Sequence, residues 1–254
     1  MVDISSYSSP GGRTYNEDSA AIWEEGARQC VIVADGLGGH GGGQIASSAA
    51  AELLTQAFAR AEHIDMAWIQ EIYKEVNRRV LDRQTEECRM KTTCVSLFVE
   101  EGHALWAHLG DSRLYHFVDG QLSFFTTDHS VSQMAVLSGE ITREQIRFHE
   151  DRNRVLRAFG AEGQVKPDMD GANLRDGAFH AFLLCSDGFW EYVLEGEMEI
   201  DLAKAETAAE WISLMTERLE KKVDGRNDNY TAAAMFFADG EPGGRLPARI
   251  DGRS

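Results

Sequence analysis

Thr93-Cys94-Val95-Ser96-Leu97-Phe98-Val99, Ala104-Leu105-Trp106-Ala107-His108-Leu109 and Arg113-Leu114-Tyr115-His116-Phe117-Val118 succeed one another with short polar connections such as Glu100–His103, and Asp119–Gln121 follows the last. The runs are rich in β-branched and aromatic residues, which suit a pleated, buried surface. Parallel neighbours would need crossovers of about a dozen residues, whereas hairpins close in a few. The stretch therefore predicts antiparallel strands. Working outward, Cys30–Ala34, Phe179–Cys185 and Thr231–Phe237 read as further strands. Gln44–Arg60 is rich in Ala and Leu, Met66–Gln84 places Ile69, Ile72, Val76 and Val80 at helical spacing, and Ala208–Leu219 repeats that pattern. The expected class is α+β, largely antiparallel sheets covered by helices, with no internal repeat. From Gly240 the chain has no apolar periodicity and reads as a flexible C-terminal tail over 240–254.

A chain of 254 residues, 43% hydrophobic and 26% charged, has the composition of an ordinary globular domain. At this length one core hides roughly 70–75% of the unfolded surface, so no disulfide staple is required. The four cysteines, Cys30, Cys88, Cys94 and Cys185, lack CxxC spacing, and three lie in or beside apolar runs, where a free thiol packs as a small hydrophobe. A net charge of −17, spread along the chain, is the wrong sign for nucleic-acid binding and suits a site that collects cations. The N-terminus lacks the order of a signal peptide, and no apolar stretch approaches the ~18–20 residues needed to span a bilayer. The expected location is the reducing cytoplasm.

Two segments share one grammar. Val31-Ile32-Val33-Ala34-Asp35-Gly36 and Leu183-Leu184-Cys185-Ser186-Asp187-Gly188 are each an apolar strand ending in a carboxylate and a glycine. Asp-Gly also makes ordinary turns, but here it follows a buried strand twice. Asn16-Glu17-Asp18 lies three residues after Arg13, and Asn227-Asp228-Asn229 immediately precedes a strand. Carboxylates at strand edges can converge from distant parts of a sheet, and oxygen-only donors suit Mg²⁺ or Mn²⁺. Zinc would call for His or Cys in tetrahedral spacing. Gly36-Leu37-Gly38-Gly39-His40-Gly41 imitates the dinucleotide fingerprint, yet its helix runs into a second helix where a parallel strand should follow. No P-loop Lys-Ser/Thr and no G-x-S-x-G elbow is present.

In order along the chain stand Arg13-x-x-Asn16-Glu17-Asp18, Ala34-Asp35-Gly36-Leu37-Gly38-Gly39-His40, Gly110-Asp111-Ser112-Arg113, Thr127-Asp128-His129-Ser130, Ser186-Asp187-Gly188-Phe189-Trp190 and Asp228-Asn229-Tyr230-Thr231. This series resembles the PP2C-type (PPM) protein phosphatases, particularly their compact bacterial single-domain members, from Arg13 to Phe237. The resemblance implies a domain over 1–239 with two packed, mainly antiparallel sheets flanked by helix pairs, an α-β-β-α four-layer sandwich. It implies that Asp35 bridges two Mn²⁺ or Mg²⁺ ions, that Gly36 ligates one through its carbonyl, and that Asp187 and Asp228 complete the shell of the second ion. Glu17 or Asp18 would add a direct or water-mediated ligand. Asp111 would join Asp187 in a third, weaker metal site. Arg13 would clamp the phosphate, which a guanidinium fork suits, and the catalytic set would be Arg13, Asp35 and Asp187.

The implied chemistry is hydrolysis of phosphoserine and phosphothreonine in proteins by water activated between two cations, without a phosphoenzyme. Animal relatives carry a His directly after the first Asp-Gly. Here Leu37 stands in that place, as in bacterial members with Met or Leu, and His40 three positions on is expected to shape the Gly-rich turn in preference to donating a proton. Arg113 either braces its own loop or serves the site, and His129 and Ser130 shape a turn. Residues 129–160, with Gly139-Glu140-Ile141-Thr142 and Arg152-Asn153-Arg154-Val155-Leu156-Arg157, resemble the mobile flap of the bacterial enzymes. The implied partners are phosphorylated proteins and a cognate Ser/Thr kinase. Two other readings stay open: the same hydrolysis on a small phosphorylated metabolite, and a non-catalytic phosphoprotein-binding module.

Overall fold

The computed structural model describes residues 1–38 and 42–238. His40 and the expected tail lie outside the described residues. In chain order the strands and helices are β1 (Val2–Ser9), β2 (Ser19–Glu25), β3 (Arg28–Ala34), β4 (Gly36–Leu37), α1 (Gly42–Arg60), α2 (Met66–Leu81), β5 (Lys91–Thr92), β6 (Cys94–Glu100), β7 (His103–Leu109), β8 (Arg113–Val118) and β9 (Gln121–Phe125). There follow α3 (Val131–Ser138), a 3₁₀ turn at Arg143–Phe148, β10 (Asp168–Asn173), β11 (Phe179–Cys185), α4 (Asp187–Trp190), α5 (Glu195–Leu202), α6 (Ala208–Lys222) and β12 (Tyr230–Ala238).

Two five-stranded sheets form, ordered β1-β12-β11-β8-β9 and β10-β7-β6-β3-β2, with every pairing antiparallel. The central strands are largely apolar because both their faces are covered. Val31 and Val33 of β3, Phe182 and Leu184 of β11, and Ala233 and Met235 of β12 meet Val95, Leu97 and Trp106 between the sheets. Their alternate neighbours face the other way. Cys30 and Ile32 pack under α1 and α2 with Leu54, Phe58, Tyr73 and Val76. Leu183 and Cys185, with Ala232 and Ala234, pack under α5 and α6 with Met198, Trp211 and Met215. Period-two alternation in doubly buried strands thus makes three apolar layers between four layers of secondary structure, the sandwich that the family resemblance implies.

The helices begin where their caps dictate. Asp65 accepts the Trp68 N–H at 2.7 Å ahead of α2, and Thr207 accepts that of Glu210 at 3.1 Å ahead of α6. α2 ends at Leu81, three residues before the boundary the apolar pattern predicts. Gln84 leaves the helix because its side-chain amide donates to the carbonyls of Met90 and Gly160, at 2.7 and 2.8 Å. The Asp-Gly segment at Asp35-Gly36 feeds a two-residue strand paired antiparallel with β5, and α1 leads into α2. That excludes a βαβ dinucleotide unit. All four cysteines are free; Cys30, Cys94 and Cys185 are buried and Cys88 half-buried.

Candidate metal centre

Registers place the sequence-predicted carboxylates at one end of both sheets. Ser19 pairs with Ala34, Cys94 with Leu109, and Cys185 with both Arg113 and Ala232. The loops that enter β2, β8 and β12 and leave β3, β7 and β11 therefore share an edge. These loops carry Arg13, Glu17, Asp18, Asp35, Gly36, Asp111, Asp187 and Asp228.

Each loop is pinned from below. Asp35 offers its carbonyl to the Thr93 N–H at 2.9 Å and to the Thr92 hydroxyl at 2.8 Å. Gly36 donates its N–H to the Glu17 carbonyl at 3.2 Å. A Cβ on Gly36 would lie 2.3 Å from the Gly43 carbonyl carbon, so only glycine lets the Asp-Gly corner seat against the first turn of α1. The Ser47 hydroxyl donates to that same Glu17 carbonyl at 2.6 Å. Asp187 opens α4, and Asp228 lies two residues before β12.

The side chains form an electrostatically frustrated group. Asp18 is 7% exposed, and Asp111 is 2% exposed. One oxygen of each, Oδ1, is buried without any hydrogen-bond partner. Burial, with the charges of Asp187 and Asp228, pushes Asp18 up to about 7, although the Ser186 hydroxyl donates to its Oδ2 at 2.7 Å. Burial and Asp228 push Asp187 up to about 6. Asp35 is raised well above the usual carboxylate range by burial and then by Asp18, Asp187, Asp111 and Asp228. Asp111 is raised by burial and then by Asp187. Like charges held together at this cost are what divalent cations neutralise, and orphaned buried oxygens are donors awaiting an acceptor of electron pairs. The donor set is all oxygen, as Mg²⁺ and Mn²⁺ require. The residues present fit such ions.

Other placements differ in kind. Arg13 is 57% exposed and donates from Nη2 to Asp228 Oδ2 at 2.7 Å. The Glu17 carboxyl carbon lies against the first turn of α1, 2.9 Å from where a Gly43 Cβ would sit, while its backbone braces Gly36. Arg113 is not a site residue: it is 3% exposed, forks onto Asp128 at 2.7 and 2.7 Å, and lies 3.4 Å over the Trp190 ring. It braces its loop. Among the described residues, His108, His129 and Asp168 bring three ligand atoms within 4.8 Å of one another. Their rings stack in parallel at 9°, and the Arg157 guanidinium sits on Asp168 Oδ1 at 2.7 Å. No single ion can lie in the planes of two parallel rings, and Arg157 already supplies the cation.

Sequence reasoning gave no role to Asn229, Ser186 or Glu191. Asn229 accepts the Glu17 N–H at 2.8 Å and donates to the carbonyls of Pro10 and Tyr15 at 3.0 and 2.9 Å, clamping the Arg13 loop. Its signal was its place directly after Asp228. Glu191, pushed up to about 7 by burial and by Asp187, receives Arg152 at 2.8 Å and so ties residues 129–160 to α4. A surface cavity of about 810 Å³ lined by Arg28, His63 and Glu100 lies at the opposite end of the sheets and holds none of these residues.

A family model described as protein phosphatase 2C matches residues 11–229. The serine/threonine phosphatase Stp of Listeria innocua is 35% identical over 208 residues, covering 78% of this chain and 81% of that protein. The crystal structure of the serine/threonine phosphatase Stp1 from Staphylococcus aureus superposes with a TM-score of 0.82 at 29% identity, covering 93% of this chain and 95% of that one. The catalytic domain of the phosphatase PstP, solved in complex with two manganese ions, superposes with a TM-score of 0.80 at 26% identity, covering 94% and 99%. Four layers of secondary structure, an all-oxygen carboxylate edge and these relatives agree, and the chain belongs to the protein phosphatase 2C family of metal-dependent serine/threonine phosphatases.

Proposed function

We propose that the carboxylate edge holds two Mn²⁺ or Mg²⁺ ions through Asp35, the Gly36 carbonyl, Asp187 and Asp228, with Glu17 or Asp18 adding a direct or water-mediated contact and Asp111 joining Asp187 at a third, weaker position. The substrates are phosphoserine and phosphothreonine in proteins, the phosphoproteins made by a cognate Ser/Thr kinase in the cytoplasm. The observation that carries the reading is the set of mutually repelling carboxylates, several buried, with the orphaned oxygens of Asp18 and Asp111 among them. Among the described residues no helix is long and apolar enough to cross a membrane.

Bound divalent cations supply charge to offset the phosphate and acidify water at neutral pH. The rest is done by the chain. Arg13 exchanges Asp228 for phosphate oxygens, and its open position lets a side chain on a folded protein reach it. Asp35 is held on its carbonyl side by Thr92 and Thr93, so its carboxylate keeps a fixed direction. Ser186 and Thr231 hold Asp18, the Thr231 N–H donating to Ser186 Oγ at 3.0 Å. Leu37 offers no proton, so the leaving alkoxide takes its proton from solvent at the site. Residues 129–160, the flap of this reading, carry exposed Met134, Leu137, Phe148 and Leu156, apolar contacts for a protein substrate.

The test is phosphate release from a phosphothreonine peptide by metal-stripped protein, with Mn²⁺ or Mg²⁺ added back. Activity restored by either ion supports the proposal; no activity with either would overturn it.

A further inference from the structure

Asp111 hangs its carboxylate into the cluster with Oδ1 unpartnered, so its direction must be set by its backbone. On one side, Trp190 Nε1 donates to the Asp111 carbonyl at 2.9 Å. On the other, Gly110 is gripped twice by one residue. His129 donates its N–H to the Gly110 carbonyl at 2.8 Å, and its ring Nδ1 lies 3.1 Å from the Gly110 N–H. Because Nδ1 accepts there, the neutral ring carries its proton on Nε2, which faces Asp168 Oδ2 at 3.3 Å, with Arg157 Nη1 3.1 Å from the same nitrogen. The His108 ring stacks on His129 with centroids 4.5 Å apart. The His129 carbonyl accepts the Leu156 N–H at 2.7 Å, at the base of the 129–160 segment. Gly110 itself has φ +99, and a Cβ there would meet Thr93 Cγ2 at 2.6 Å, so the corner has one way to sit.

We propose that His129 is a positioning residue: its ring nitrogen and backbone N–H hold Gly110 so that the next residue, Asp111, presents its carboxylate to the metal centre. The inference rests on the assignment of Asp111 to a metal position above. Hydrogen-bond partners lying behind a ligand commonly govern metal affinity by about 10–100-fold, and His129 acts one residue further back, through the main chain.

The test is calorimetric titration of Mn²⁺ into metal-stripped wild-type protein, His129→Phe, His129→Asn, Asp111→Asn and His129→Phe with Asp111→Asn, with thermal melts of the metal-stripped proteins as a fold control. Phe keeps the ring on His108 but lacks an acceptor; Asn keeps an acceptor near the Nδ1 position but lacks the ring. The expected result is that His129→Phe weakens the weakest Mn²⁺ step by about tenfold or more, as Asp111→Asn does, and His129→Asn restores it to within about threefold. The double variant falls no further than Asp111→Asn alone, because coupled residues are not additive. Should His129→Phe not fold, His129→Gln, which lacks an acceptor at the Nδ1 position, takes its place. If Asp111→Asn weakens binding while the His129 variants do not, or if Asn fails to rescue, the positioning role is overturned and the metal reading stands. If neither Asp111→Asn nor His129→Phe changes Mn²⁺ binding, both fall.

Discussion

Arg13 stands half in solvent with its guanidinium on Asp228, poised to trade a carboxylate for a phosphate. Hydrogen bonds from a charged donor are worth about 1.5–3 kcal/mol, so Arg13→Ala should lower kcat/KM on a phosphothreonine peptide by roughly ten- to a hundredfold, with Arg13→Lys in between. Steady-state kinetics checks this, and unchanged kcat/KM would remove Arg13 from the site. Asp18 carries a second prediction. Its folded value of about 7 lies above its ordinary 3.8, so the metal-free folded state binds the extra proton. That contribution to stability is complete below about pH 4 and is lost as pH rises through about 7. Asp18→Asn should therefore raise the melting temperature of the metal-stripped protein at about pH 8 and leave it nearly unchanged near pH 4. Added Mn²⁺ should stabilise the wild type more at the higher pH, where the ligands are ionised. Asp35 and Asp187 were legible because each follows an apolar run, and Asp18 because it belongs to the acidic Asn16-Glu17-Asp18 element three residues after Arg13. Ser186 and Asn229 were not, since their partners lie 168 and 212 residues away, and no local pattern reports such a pairing.

At the scale of elements, β8 is fastened to the turn that precedes α3 by the Arg113–Asp128 pair, both side chains at most 4% exposed. Removing one partner leaves a buried charge, so Arg113→Ala should cost about 3–5 kcal/mol in urea unfolding. Replacing both, as Arg113→Met with Asp128→Leu, should recover most of that, because an apolar pair carries no desolvation cost. A loss below about 1 kcal/mol for Arg113→Ala would mean that the ion pair does not hold the turn. The central strands β3, β6, β7, β8, β11 and β12 could be read from the sequence because both their faces are buried. β1, β2, β9 and β10 are the sheet edges. Val2-Asp3-Ile4-Ser5-Ser6-Tyr7 and Asp168-Met169-Asp170-Gly171-Ala172-Asn173 mix polar and half-exposed residues, and their pairing comes from the neighbouring strand more than from their own propensity.

For the whole molecule, antiparallel hairpins bring five distant loops to one end of two sheets, and the layers beneath hold those loops still. The family resemblance supplied the four layers in advance; hydrophobic alternation alone gave antiparallel sheets covered by helices, because it marks which strands are buried but not which sheet they join. In a chain of net charge −17, that edge gathers Asp18, Asp35, Asp111, Asp187 and Asp228 within reach of one another. Divalent cations should therefore act on the whole fold: stripping them should lower the melting temperature at neutral pH, and restoring Mn²⁺ should raise it with concentration, since a ligand that binds only the folded state stabilises it by mass action. A melting temperature indifferent to Mn²⁺ would speak against a built site.

The most direct measurement is Mn²⁺ binding and phosphothreonine-peptide turnover followed together in the wild type and in Asp187→Asn, the carboxylate that opens α4 beside Asp35 and Asp228. The account predicts at least two bound ions in the wild type, a lost or weakened ion in the variant, and turnover lower by about a thousandfold, the scale at which removing a preorganised charge acts on a transition state. Full metal binding and full turnover in Asp187→Asn would contradict it.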